Sequence, residues 1–174
     1  MKDDVKDDMK HLITYPNLPQ RLLKARDELM VHFRPILNHF GVTEQQWRIL
    51  RALDQQGQLE PREIGDLCQI SSPSMAGVLA RMEQAGLVER KRMETDQRRV
   101  SVTLSPQSRA LLGQMGPLID LQYQYIEQAC GTQIFIDLLT VLEGFIECKK
   151  LPVRQVDLQP SLAALPLATH PSSF

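Results

Sequence analysis

The chain has 174 residues, 43% of them hydrophobic and 24% charged, with 20 Lys and Arg against 21 Asp and Glu. That length fits one ordinary domain with a short appendage, and the composition excludes fibrous and intrinsically disordered classes. A formal net charge of −1 excludes nucleic-acid binding through bulk basicity, so any such activity must come from a local cationic patch.

The three cysteines, Cys68, Cys130 and Cys148, are far apart and form no CxxC pairing. They are expected to be free thiols in a reducing compartment, with no structural zinc. His11, His32, His39 and His170 have no metal-ligand spacing and no Gly-rich phosphate loop is present, which argues against an enzyme and against any cofactor or metal. The N-terminus, Met1-Lys-Asp-Asp-Val-Lys-Asp-Asp-Met-Lys10, is too acidic and polar for a signal peptide, and no apolar run approaches a membrane span. The expectation is a soluble, cytoplasmic protein.

In chain order, residues 1–18 are charged and end in Tyr15-Pro-Asn-Leu-Pro19, which offers little apolar surface to offset the entropy of ordering; a flexible tail is expected. Residues 19–42 carry a helix. Leu22, Leu29, Phe33, Ile36 and Phe40 recur at threes and fours, Arg26 falls inside that stripe, and His32 lies at its edge. Pro35 should kink the helix and Gly41 should end it. Thr43-Glu-Gln-Gln46 is a capping box opening a second helix with Trp47, Ile49, Leu50 and Leu53. After Gln56-Gly57 a brief polar turn leads to Pro61 as the first residue of a third helix, with Ile64, Leu67 and Cys68 as its buried edge.

Gln69-Ile70-Ser71 is long enough only for a turn between helices. The next helix starts at Ser71 or Ser72 and buries Met75, Val78, Leu79 and Met82, leaving Ser72, Ser74, Gly77, Arg81 and Gln84 on the opposite face. The period then drops to two: Val100, Val102 and Leu104 point one way and Arg99, Ser101 and Thr103 the other. Leu87 to Arg92 is the partner strand, and Met93 to Gln97 the loop. Ser105-Pro106 caps a long helix carrying Leu111, Leu112, Met115, Leu118, Ile119, Tyr125 and Ile126, with a bend expected near Gly116-Pro117. A last helix opens at Gly131 or Thr132 and carries Phe135, Leu138, Leu139, Leu142, Phe145 and Ile146 on a wide apolar face. Residues 149–174, rich in Pro, Leu, Ala and Ser, are expected to be a disordered tail.

The helix pair and hairpin over 43–105 read as a winged helix-turn-helix, whose second helix enters the major groove of duplex DNA. Its outward face is small: Ser72, Ser74, Ala76 and Gly77 permit close backbone approach, and Arg81 reaches a phosphate or a guanine edge. Gly77 costs about 1 kcal/mol relative to Ala inside a helix, which close approach or helix–helix packing would each explain. The hairpin concentrates Arg90, Lys91, Arg92, Arg98 and Arg99 within ten positions, suited to the negative potential of a narrow minor groove. Asp96, two residues before Arg98, stands close enough to hold its guanidinium in one pose.

Asp96-x-Arg98 followed by Val102-x-Leu104-Ser105, and preceded by Met82-Glu-x-x-Gly86-Leu-Val88, resembles the wing and recognition-helix signature of the MarR family of bacterial regulators. The resemblance covers roughly Leu22 to Glu147. Leu23-Lys-Ala-Arg-Asp27, Phe33-Arg-Pro35 and Val42-Thr-Glu-Gln-Gln-Trp-Arg-Ile-Leu50 look like the subgroup of homoprotocatechuate-pathway repressors. Leu104-Ser105 departs from the family's usual Leu-Thr, a change that still caps a helix, and neither tail has a counterpart.

The resemblance implies a mainly α fold with a small β-hairpin wing, and a homodimer built from the first helix (19–42) and the last helices (106–148). One winged domain would meet each half-site of an inverted-repeat operator on double-stranded DNA. The sequence supports the dimer independently, because the last two helices carry more apolar surface than a lone winged domain needs. The resemblance also implies release from DNA by a small aromatic acid bound between the dimer helices and the winged domain. Such a ligand needs a cation in an apolar slot and an aromatic wall. Arg26 is the candidate cation, His32 a partner for a ring substituent, and Phe33 or Trp47 the wall. Two alternatives stay open: redox sensing through a cysteine, and a winged helix serving protein or RNA contact.

Overall fold

Six helices and three strands order the described residues of a computed structural model, which comprise 13, 15–93, 96, 98–148 and 152–157. Most of both expected tails therefore lies outside the described residues. The chain divides into two compact units, 1–126 and 127–174.

The first unit opens with α1 (Leu18–His39), which begins at Leu18 because Asn17 Oδ1 accepts the Gln20 N–H at 3.1 Å and Pro19 sits in the first turn. It runs through Pro35 and gives way at Gly41, whose φ of +66° is open to glycine at no steric cost. Phe33 and Leu37 are its buried residues, at 3% and 1% exposure. Leu37 was not part of the expected stripe, whereas Leu22 stays partly exposed. α2 (Glu44–Gln56) carries the expected capping box: Thr43 Oγ1 accepts from Gln46 N–H at 3.2 Å and Gln46 Oε1 from Thr43 N–H at 2.9 Å.

Where a polar turn was expected, Gln58–Leu59 forms β1. Two residues are too few to show an alternating period, so only the pairing with a distant strand defines them. α3 (Pro61–Cys68) buries Ile64 and Cys68, but Leu67 is 57% exposed, contrary to expectation. In a helix of eight residues the 64/68 pair already defines the line of contact with the core, and Leu67 falls to one side. Gln69 adopts a left-handed φ of 52°, turning the chain into α4 (Ser72–Gln84), which buries Met75, Val78, Leu79 and Met82 as its spacing dictates.

β2 (Val88–Arg92) pairs antiparallel with β3 (Val100–Leu104), Val88 opposite Leu104 and Arg92 opposite Val100. β1 pairs on the other side of β3, Gln58 opposite Thr103, giving the order β1-β3-β2. The central position of β3 explains a second difference: Ser101, expected on the outer face, is buried, and its Oγ donates to the Lys91 carbonyl at 3.2 Å. α5 (Pro106–Cys130) continues through Gly116-Pro117 as one helix. At its start Ser105 Oγ accepts the Ser108 N–H at 3.0 Å and donates to the Gly86 carbonyl at 2.6 Å, while Ser108 Oγ donates to the Leu87 carbonyl at 2.5 Å. Leu37, Ile49, Leu50, Leu79, Met82 and Met115 meet in one continuous core under the helix pair and sheet.

The second unit holds the end of α5 and α6 (Thr132–Glu147), which follows Gly131. None of the α6 side chains is buried, and Ile134, Leu138, Val141, Phe145 and Ile146 are all exposed. No single helix among the described residues is long and apolar enough to cross a membrane.

Candidate nucleic-acid interface

α4 presents Ser72, Ser74, Ala76, Gly77 and Arg81 outward, all exposed, with Ser71 Oγ donating to Ser74 Oγ at 3.1 Å in the first turn. A Cβ built on Gly77 would meet only Arg81 Nη1, at 3.4 Å. No second helix among the described residues comes within 4 Å of that position, so helix–helix packing within them does not account for this glycine, and the Arg81 guanidinium lies back over it. The face is therefore low and unobstructed, with one cation on it.

The hairpin stands beside this face. Arg90 is 3.4 Å from Glu83 at the end of α4, and Lys91 is 3.3 Å from Glu89 on its own strand. Arg92 and Arg98 are exposed and have no carboxylate partner among the described residues. Asp96 does something other than expected. Its Oδ1 accepts the backbone N–H of Arg98 at 2.9 Å and its carbonyl accepts the Arg99 N–H at 2.9 Å. It shapes the turn through the backbone and does not hold the Arg98 guanidinium, as a short Asx side chain in a turn commonly does. Arg99 is committed elsewhere, in an ion pair with Glu60 that holds the Glu60 carboxyl below its usual range and raises the Arg99 guanidinium. Of the five cations in the hairpin, two are free of carboxylates among the described residues.

The residues expected to hold an effector are spread over two helices. Arg26 does not stand in an apolar slot: its side chain is 45% exposed, 2.5 Å from Glu44 and 3.5 Å from Asp27. Arg34 joins the same network, 2.7 Å from Glu44 and 2.8 Å from Asp27. The Arg34 and Arg26 guanidinium groups together hold the Glu44 carboxyl below its usual range. His32 is exposed on α1, and Phe33 is buried with its ring centroid 4.7 Å from that of Tyr123 on α5.

Trp47 packs against the core and walls a cleft of about 250 Å³, which Arg48, Arg51, Ala52, Leu67 and Cys68 also line. Arg51, one turn after Trp47, places its guanidinium carbon 5.7 Å from the Trp47 ring centroid, within cation–π range. Arg48 donates from Nη1 to the Cys68 carbonyl at 2.6 Å, and its Nε is buried without a partner among the described residues. Arg51 and Tyr123 were missed from the sequence. Trp47-x-x-x-Arg51 at i, i+4 on one helix face was the available signal for Arg51; Tyr123 pairs with a residue 90 positions away, and no local pattern reveals it.

The sequence profile of the MarR family matches residues 42–100. The HTH-type transcriptional regulator FarR of Neisseria gonorrhoeae is 41% identical over 112 residues, 64% of this chain and 77% of that protein. The homoprotocatechuate degradative operon repressor of Escherichia coli is 35% identical over 132 residues, 76% of this chain and 89% of that protein. The chain belongs to the MarR family. It is a MarR-family transcriptional regulator, and its helix pair and three-stranded sheet are the winged helix-turn-helix of that family. The crystal structure of NadR in complex with 4-hydroxyphenylacetate aligns with a TM-score of 0.70 at 36% identity, covering 79% of this chain and 97% of that one. The MarR profile begins at Val42 and ends at Val100, so α1, α5 and α6, the helices outside the winged core, lie beyond it.

Proposed function

We propose that this MarR-family regulator is a homodimeric repressor that binds an inverted-repeat DNA operator and is released by a small aromatic acid. The observation that carries the DNA-binding part is the juxtaposition of an unobstructed α4 face with a hairpin bearing the exposed Arg92 and Arg98. An α4 helix whose first two turns expose only the small side chains of Ser72, Pro73, Ser74, Ala76 and Gly77 lets its backbone approach a groove floor, while the hairpin reaches phosphates or an adjacent minor groove. The homodimer follows from α6, whose side chains have no burial of their own, and a two-fold would set half-sites about 34–36 Å apart.

For the effector, relatives named as a homoprotocatechuate operon repressor and as a 4-hydroxyphenylacetate complex point to a hydroxylated phenylacetate. Arg26 is already neutralised by Glu44, so the cation for its carboxylate is reassigned to Arg51 in the Trp47 cleft, with Arg48 alongside. The cleft, of about 250 Å³, has room for a single ring. Differential affinity is the mechanism: a ligand that favours a spacing of the two winged domains unable to meet both half-sites shifts the dimer off DNA.

Fluorescence anisotropy on a duplex selected from random-sequence DNA tests both parts. Log affinity should fall linearly with log salt with a slope reflecting several phosphate contacts, and the selected duplex should be palindromic. 4-Hydroxyphenylacetate should raise the melting temperature of the free protein and lower its affinity for the duplex, with Arg51→Met abolishing both effects. A flat salt response, or the absence of a palindrome among the selected duplexes, would leave a protein- or RNA-contact module as the reading.

A further inference from the structure

We propose that Arg99 is a positioning residue: its ion pair with Glu60 fixes the wing relative to α4, and Arg98 delivers the charge to DNA. This rests on the DNA-binding reading above and deepens it.

Arg99 sits one residue before β3, and its backbone closes the turn at both ends. Its N–H donates to the Asp96 carbonyl at 2.9 Å and its carbonyl accepts the Met93 N–H at 3.0 Å. Its guanidinium leaves the turn to pair with Glu60, which lies between the last residue of β1 and the first of α3. β1 contributes only two residues to the sheet, Gln58 and Leu59, opposite Thr103 and Val102. The Glu60–Arg99 pair thus continues the β1–β3 seam with side chains where the backbone ladder stops. Asp96 and Glu63 add to the negative field around Arg99.

Glu60 is itself firmly placed. Its N–H donates to Glu63 Oε2 at 2.7 Å and its carbonyl accepts the Ile64 N–H at 3.0 Å, so it belongs to the first turn of α3. α3 is in turn tied closely to the turn that leads into α4: a Cβ on Gly65 would come 3.1 Å from the Ile70 carbonyl and 3.8 Å from Met75 Cε of α4, and the Ile70 N–H donates to the Gly65 carbonyl at 2.9 Å. A line of fixed groups therefore runs from α4 through α3 and Glu60 to the root of the wing. On the tip side of Val102, where β1 no longer pairs, the hairpin otherwise relies on its own two-stranded ladder, which is marginal in water. Two consequences follow. The concentrated pair in the motif, Arg98-Arg99, splits into one charge free of carboxylates among the described residues and one neutralised strut. The reach of the wing along the duplex, and hence the half-site geometry it accepts, is set by Glu60.

The test uses the full-length protein and the duplex it selects from random-sequence DNA, titrated over a salt series, with Glu60→Gln, Arg99→Gln, the double variant and Arg98→Ala. Thermal melts accompany each. Glu60→Gln and Arg99→Gln should each weaken binding about tenfold, from about threefold at each of two wings, as suits loss of an exposed pair. The double variant should bind no worse than either single one, and the salt slope should stay that of the wild type. Arg98→Ala should instead flatten the slope by about two, one phosphate per wing. If Arg99→Gln flattens the slope as Arg98→Ala does, if Glu60→Gln tightens binding, or if the two effects add, Arg99 contacts DNA itself and the strut is overturned. If a single variant does not fold, the exchanged pair Glu60→Arg with Arg99→Glu decides: recovered affinity supports the strut, and absent binding by a folded protein refutes it. Should Arg98→Ala also leave affinity and slope untouched, the wing reading falls, an outcome distinct from failure of the strut alone.

Discussion

Cys68 and Glu44 are the residues at which chemistry, not packing, makes the sharpest demands. Burial raises the Cys68 thiol above its usual range, and the residue is buried at the wall of the Trp47 cleft. A thiol without its thiolate is a poor nucleophile, so Cys68 should resist iodoacetamide at neutral pH and be labelled only on unfolding. Peptide mapping after labelling checks this; rapid native-state labelling of Cys68 would revive redox sensing. Glu44 behaves in the opposite sense. Its folded-state carboxyl titrates below the unfolded one because Arg34 and Arg26 favour the charged form, so its contribution is fully present above about pH 4.3 and lost as pH falls through the folded value. Glu44→Gln should therefore lose less stability than the wild type between pH 6 and pH 3.5 in urea melts. Parallel losses would mean the α1–α2 charge network contributes nothing measurable, as exposed pairs often do.

At the scale of elements, the turn at Asp96 separates shape from charge. Because Asp96 serves the Arg98 backbone and not its guanidinium, Asp96→Ala should loosen the hairpin and weaken DNA binding several-fold with the salt slope unchanged. A flattened slope would instead mean that the carboxylate steers an arginine onto a phosphate. This division was not legible in the sequence, since Asp-x-Arg spacing is the same whether the side chain meets backbone or guanidinium. What was legible follows from strong local periods: α2 with its capping box, α4 with Met75, Val78, Leu79 and Met82, and the switch to β3. What was not depended on partners distant in sequence. β1 is two residues long and exists only through β3, Ser101 is buried because β3 is central, and Leu67 is exposed because α3 needs only one line of contact. The same limit governs the effector residues. Arg26 matched an apolar stripe, but Glu44, 18 positions on, neutralises it.

At the scale of the molecule, the proposed homodimer places α6 against a second chain. Its exposed Leu138, Val141, Phe145 and Ile146 form an apolar area of the kind found at obligate interfaces. Leu138→Asp with Phe145→Asp should move the protein from dimer to monomer in sedimentation velocity and abolish operator binding while the winged unit keeps its helical circular-dichroism signal. A variant that still sediments as a dimer would place the interface elsewhere. Within residues 1–126, one hydroxyl oxygen has a reach out of proportion to its size. Ser105 Oγ joins the turn after α4 through the Gly86 carbonyl to the first turn of α5 through the Ser108 N–H, and Ser108 and Arg109 bind the Leu87 and Leu104 carbonyls at the roots of the two long strands. Any tilt of α5 must carry the end of α4 and both strands with it. Helix and wing are geared to one shaft, so under the proposed function a half-site would be gripped or dropped whole, and graded repression would come from the fraction of dimers engaged and not from a half-loosened hold.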